Sequence, residues 1–210
     1  KIEDIIYLIN SNTDGIFFKV KKKDIPELKR RVSEWERRTQ LQMEYSEFTK
    51  FISKDVNNYL AVKTDGKIHA KGAYVKDLDD LDYDLPIVNE ALRNYMIFGT
   101  PVEITINACS DFRKFQKIVK LSNKYRWVEH ERASGNIKYD NKAYRVFAST
   151  DNRDGRLLKC DGVRNPAKFG NTPDRCFIYN DDLKGVPIPS KLDRQYYINL
   201  AKKRLEDFGL

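Results

Sequence analysis

Two β-rich apolar runs joined by a short polar turn constrain the fold of this chain more than any other feature. They are Ile5-Ile6-Tyr7-Leu8-Ile9 and Ile16-Phe17-Phe18-Lys19-Val20, with Asn10-Ser11-Asn12-Thr13-Asp14-Gly15 between them. Strand formers on both sides of an Asp-Gly pair read as a β-hairpin that presents Asp14 at its tip. A rigid hairpin tip is a good mount for a metal-binding carboxylate. Asp-Gly also closes ordinary turns, so the local pattern fits a plain turn as well as a catalytic aspartate.

A chain of 210 residues suits one large domain or two small ones, with enough apolar residues for real cores. No apolar run approaches the roughly 20 residues of a membrane span, and no signal-peptide pattern is present. A soluble, intracellular protein with no membrane partner is expected. Cys109, Cys160 and Cys176 are an odd number at wide spacing, which reads as reduced thiols; with only His69 and His130 beside them, no zinc site stands out.

The net charge of +8 is unevenly placed. Residues 1–84 carry 16 Lys and Arg against 16 Asp and Glu, so the whole excess lies in 85–210, with 23 basic residues against 15 acidic. A neutral part followed by a basic part suits a protein whose second part meets a polyanion, although a lysine-rich solvated surface has the same composition. Asp77, Asp79, Asp80, Asp82 and Asp84 crowd the stretch before Leu85-Pro86 and read as a solvated connector; a metal site there needs them to converge.

Before the connector, Asp24 and Glu27 suit the start of a helix with Ile25, Leu28, Val32 and Trp35 as its buried stripe and Glu34–Arg38 as an ion pair. This helix is expected to pack on the Asp14 hairpin. Runs at 43–52, 56–63 and 67–75, broken by Ser-Lys-Asp and Thr-Asp-Gly, predict a second hairpin.

After the connector, Pro86 opens a helix that ends near Gly99. A second helix is expected from Ser110, with Phe112, Phe115, Ile118 and Val119 on its apolar face and Arg113, Lys117, Lys120 and Lys124 as a straight basic rail on the other. Such a rail suits a surface that follows phosphates, and is tolerable on any solvated face. Short strands at 126–129, 143–149, 156–159 and 175–179 predict an irregular β subdomain. A last helix is capped by Asp193, with Tyr197, Ala201 and Leu205 facing inward and Lys202, Lys203 and Arg204 near its end.

The hairpin of residues 7–20, with Asn12-Thr13-Asp14-Gly15, resembles the third conserved palm motif of family B DNA polymerases, written YxDTDS, in the variant form of bacteriophage-type enzymes. Asn57-Asn58-Tyr59 sits where that family has its KKxY motif, and Lys67-Ile68-His69-Ala70-Lys71-Gly72-Ala73-Tyr74-Val75-Lys76 is similar to the Lys-Gly stretch that ends the palm. Residues 86–210 then correspond to the thumb, and segments 141–149, 168–173 and 197–208 are similar to the ends of phage polymerases.

The resemblance implies an α+β fold: a small antiparallel palm sheet with a packed helix in 1–84, then a mixed helical and β thumb in 85–210. It implies a DNA-directed DNA polymerase acting in the host cytoplasm, with double-stranded primer-template DNA and deoxynucleoside triphosphates as partners and two Mg²⁺ ions as cofactor. Asp14 matches the family's second aspartate and carries over as a metal ligand, whereas Asn12 stands in place of the first. Tyr59 carries over as a primer-terminus contact beside Lys67 and Lys71, whereas Asn57 replaces the motif's lysine. Arg113, Lys117, Lys120 and Lys124 would then meet duplex phosphates.

Transfer by two metal ions needs carboxylates from separate strands, and this chain supplies one. The chain thus resembles the C-terminal part of a longer polymerase, and by itself is expected not to extend primers. A non-enzymatic DNA-binding replication module is the alternative. A metal-dependent nuclease would need clustered acids beside a His or Lys, and neither His69 nor His130 lies in such a cluster.

Overall fold

The computed structural model describes residues 2–12, 15–72, 74–75 and 84–210. Among them, four α-helices and small antiparallel sheets make an α+β fold divided into two compact units, Lys1–Lys71 and Gly72–Leu210. Of the expected acidic connector, Asp77, Asp79, Asp80 and Asp82 lie outside the described residues. Tyr74, Val75 and Asp84 belong to the second unit, where Val75 is fully buried and Asp84 pairs with Lys117.

In the first unit the two opening apolar runs pair as expected. Strands β1 (Ile6–Ser11) and β2 (Ile16–Val20) form a hairpin with Ile6 opposite Val20 and Ser11 opposite Ile16. Helix α1 (Ile25–Thr39) follows a 3-10 turn and has Pro26 in its first turn, where a missing N–H costs nothing. The expected Asp24 cap is not made, because Asp24 belongs to that 3-10 turn. Glu27 instead binds Arg30 at 2.8 Å and Arg31 at 2.7 Å, and Glu34 pairs back to Arg30 rather than forward to Arg38. Of the predicted apolar stripe only Leu28 is buried, and Trp35 is 41 % exposed. Arg31 reaches Asp4 at 2.8 Å, which ties the helix to the segment leading into the hairpin.

Strands β3 (Phe48–Asp55), β4 (Asn58–Lys63) and β5 (Ile68–Lys71) form an antiparallel meander, so the expected second hairpin is part of a three-stranded sheet. The hairpin packs on it through Phe17, whose ring lies 4.6 Å from Phe51 and 5.5 Å from Tyr59. Among the described residues of this unit, only Leu28, Tyr59, Leu60 and Ala61 are fully buried.

The second unit has the larger core. Helix α2 (Pro86–Phe98) ends at Gly99, which takes the left-handed conformation a C-cap needs. Helix α3 (Val102–Ala108) follows Pro101 and packs against α2. A 3-10 turn at Phe112–Phe115, capped by Asp111, leads into β6 (Lys117–Lys120). The expected helix from Ser110 is therefore corrected to a turn and a strand.

Next come β7 (Trp127–Arg132), β8 (Ile137–Tyr139), β9 (Ala143–Ala148), β10 (Asp154–Cys160), β11 (Ala167–Lys168) and β12 (Cys176–Ile178). They build two sheets, ordered β12-β9-β6 and β11-β10-β7-β8. Val119, Val128, Tyr144, Val146, Leu157 and Cys176 make one core cluster drawn from both sheets. Helix α4 (Arg194–Glu206) is capped as predicted by Asp193, which accepts from the Tyr196 amide at 3.2 Å. Its Tyr197, Ala201 and Leu205 are buried. The Tyr197 hydroxyl donates to the Phe115 carbonyl at 2.8 Å and accepts from the Ala148 amide at 3.1 Å, so α4, β9 and the 3-10 turn share one polar node.

Candidate nucleic-acid interface

The hairpin tip is closed by the Asn12 amide donating to the Gly15 carbonyl at 2.9 Å. Asp14, the implied metal ligand, lies with Thr13 outside the described residues. Among the described residues no group of three or more His, Cys, Asp and Glu side chains converges to hold a metal ion.

Tyr59 stands on β4 directly opposite Lys71 on β5, so both side chains occupy one face of the meander. The tyrosine is only 3 % exposed, held by Phe17 and Phe51, and its hydroxyl lies 3.0 Å from His69 Nε2. Burial raises its phenol pKa. Lys71 is exposed at the rim of this cluster. Lys67 lies in the turn before β5, where its amide donates to Asp65 at 2.9 Å and its ammonium pairs with the same carboxylate at 3.4 Å. The structure thus unites Tyr59 and Lys71 and places Lys67 apart from them.

The basic rail does not form. Arg113 belongs to the 3-10 turn and is bound to Asp111 at 2.7 Å, which pulls that carboxyl below its ordinary pKa. Lys117 is 16 % exposed and pairs with Asp84 at 2.8 Å. Lys120 ends β6, and Lys124 lies in the following turn with its ammonium 5.2 Å from the Tyr125 ring centre. A strand rises about 3.3 Å per residue and alternates its faces, so the helical alignment of the four cations is lost.

Phe17, Phe51 and His69, which fix Tyr59, are absent from the sequence-based set of site residues. The signal for His69 is its place two residues before Lys71, which puts both on Tyr59's face once the register is known. No helix among the described residues is long and apolar enough to cross a membrane. No protein-family model matches the chain, and no curated protein matches it.

Proposed function

We propose that this chain is part of a template-directed DNA polymerase of the family B type, contributing one catalytic aspartate, Asp14, from a hairpin tip and a basic second unit that holds primer-template duplex. One observation carries the reading. Phe17, three residues past Asp14, packs on Tyr59 at 5.5 Å, so the two segments that resemble polymerase motifs sit against each other in one unit. Lys71, from the third such segment, is Tyr59's direct cross-strand neighbour.

Burial supports the same reading. A 71-residue unit with so few buried side chains, and with Tyr7, Leu8, Ile16 and Tyr45 each between 45 and 75 % exposed, has apolar surface for further polypeptide to cover. In this reading the covering polypeptide brings the second carboxylate. The 210-residue chain alone then binds duplex but does not extend primers.

The test is templated incorporation by the natural protein that carries this chain, with the isolated chain beside it. Magnesium-dependent extension by the former and none by the latter is expected. Duplex binding without extension in both would favour a non-enzymatic replication module.

A further inference from the structure

Five cations come together at one end of the two sheets of the second unit. Lys120 pairs with Ala143 across β6 and β9, and the next amide, Leu121, donates to the Lys142 carbonyl at 2.7 Å. The Arg126 amide donates to the Cys160 carbonyl at 2.8 Å, which brings the end of β10, with Lys159, beside the turn that holds Lys124. The Lys124 and Lys159 ammonium groups lie 5.2 and 5.1 Å from the centre of one ring, that of Tyr125. The Lys159 ammonium also lies 5.6 Å from the centre of the Phe169 ring, so it has two aromatic neighbours.

Among the described residues none of these five cations has a carboxylate partner. The acids near them in sequence are engaged elsewhere: Asp140 pairs with Lys138 at 3.6 Å, Asp161 pairs with Arg164 at 3.2 Å, and Glu129 accepts from the Trp127 indole at 2.8 Å and the Asn136 amide at 3.2 Å. By contrast, Arg113, Lys114, Lys117, Arg132, Arg153 and Arg156 in the same unit are each paired. Like charges set around one ring repel one another; the ring's negative face offsets part of that, and an anion between them would offset more.

We propose that the patch of Lys120, Lys124, Arg126, Lys142 and Lys159 binds the phosphodiester backbone of a nucleic acid. This deepens the reading above and rests on its nucleic-acid half alone, since it needs no catalytic aspartate. The cations are spread over two strand ends and a turn, which suits successive phosphates better than a single small anion. A bilayer surface fits less well, because Val163 is the one large apolar side chain exposed in the loop just after β10, too little to insert.

The test is the salt dependence of duplex-oligonucleotide binding by the intact chain. In the variant K120Q/K124Q/K142Q/K159Q, the magnitude of the log–log slope should fall by about 0.9 for each lysine that touches phosphate, roughly 3.6 for all four. The triple variant K120Q/K124Q/K142Q leaves Lys159 and its two ring contacts intact and should lose about 2.7. A control, K184Q/K203Q, changes exposed lysines outside the patch and should keep the native slope. Native binding with an unchanged slope in both patch variants would overturn the patch and leave the polymerase reading standing. No salt-dependent duplex binding by the native chain would overturn both. Loss of binding to anionic phosphatidylserine vesicles, with duplex binding intact, would assign the patch to membranes instead.

Discussion

The Tyr59 hydroxyl lies 3.0 Å from His69 Nε2, diagonally across the β4 and β5 pair. The bond points the phenol along the sheet toward the Ala61–His69 pair, away from the strand end that carries Lys71, and leaves the ring to Phe17 and Phe51. Tyr59→Phe keeps that packing and loses one half-buried hydrogen bond, which should cost about 1 kcal/mol in urea unfolding. Tyr59→Ala removes the ring from a unit with little else buried and should cost about 3–5 kcal/mol, seen as loss of the first unit's protection from proteolysis. Under the proposed function, Tyr59→Phe in the natural protein should alter extension from mismatched primer ends; identical behaviour on matched and mismatched ends would remove Tyr59 from the primer terminus.

Gly155 marks a second tight contact. A Cβ added there would lie 2.8 Å from both Cβ and the carbonyl oxygen of Glu131, where β10 shifts register against β7. One of the two clashing atoms is backbone, so the strands have to separate. Gly155→Ala should therefore cost about 1–3 kcal/mol and lower the Tm of the second unit by several degrees. An unchanged melting temperature would mean that the bulge relaxes freely.

Acid should destabilise the second unit through His130. The ring is buried, and its Nε2 donates to the Cys176 carbonyl at 2.7 Å, which fixes the Nε2–H tautomer because a carbonyl only accepts. Burial lowers its pKa below the ordinary 6.5. Between the lowered native value and 6.5 the unfolded chain binds more protons, so this stability is present above pH 6.5 and is lost as the pH falls below it. The Tm should drop between pH 7.5 and 5.5, and His130→Asn should flatten that part of the profile. An equally steep profile in the variant would place the titration elsewhere.

The corrected rail has its own consequence. Arg113 and Lys117 are already neutralised by Asp111 and Asp84, so releasing them to phosphate means breaking an ion pair first. Arg113→Ala with Lys117→Ala should leave the salt slope of duplex binding nearly unchanged. A fall of about 2 units would restore these two as phosphate contacts.

Much of the fold was legible because its signals are local. Asp193 before an apolar stripe, Pro86 and Gly99 at the ends of α2, and the Asp-Gly hairpin each act within a few residues. Residues 110–120 were misread because Phe112, Phe115, Ile118 and Val119 fit helical spacing. What decides their state is far away in sequence: β9 at Ala143–Ala148 takes β6 as its partner, and Ile118 and Val119 are β-branched. Phe112 then stacks on Phe147 at 4.2 Å instead of lining a helix. The grouping of Lys159 with Lys124 was hidden for the same reason, since only the pairing of β7 with β10 brings residue 159 beside the turn that opens β7. Helix α3 is short, and Pro101 masks its start.

The most direct test is single-turnover nucleotide incorporation by the natural protein that carries this chain, native against Asp14→Asn, with duplex affinity measured alongside. If Asp14 holds a catalytic metal ion, the chemical step should fall by at least 1,000-fold, roughly 4 kcal/mol of transition-state stabilisation, while duplex affinity and Tm stay within error. Equal incorporation rates in the two proteins would make Asp14 an ordinary turn residue and contradict the polymerase assignment.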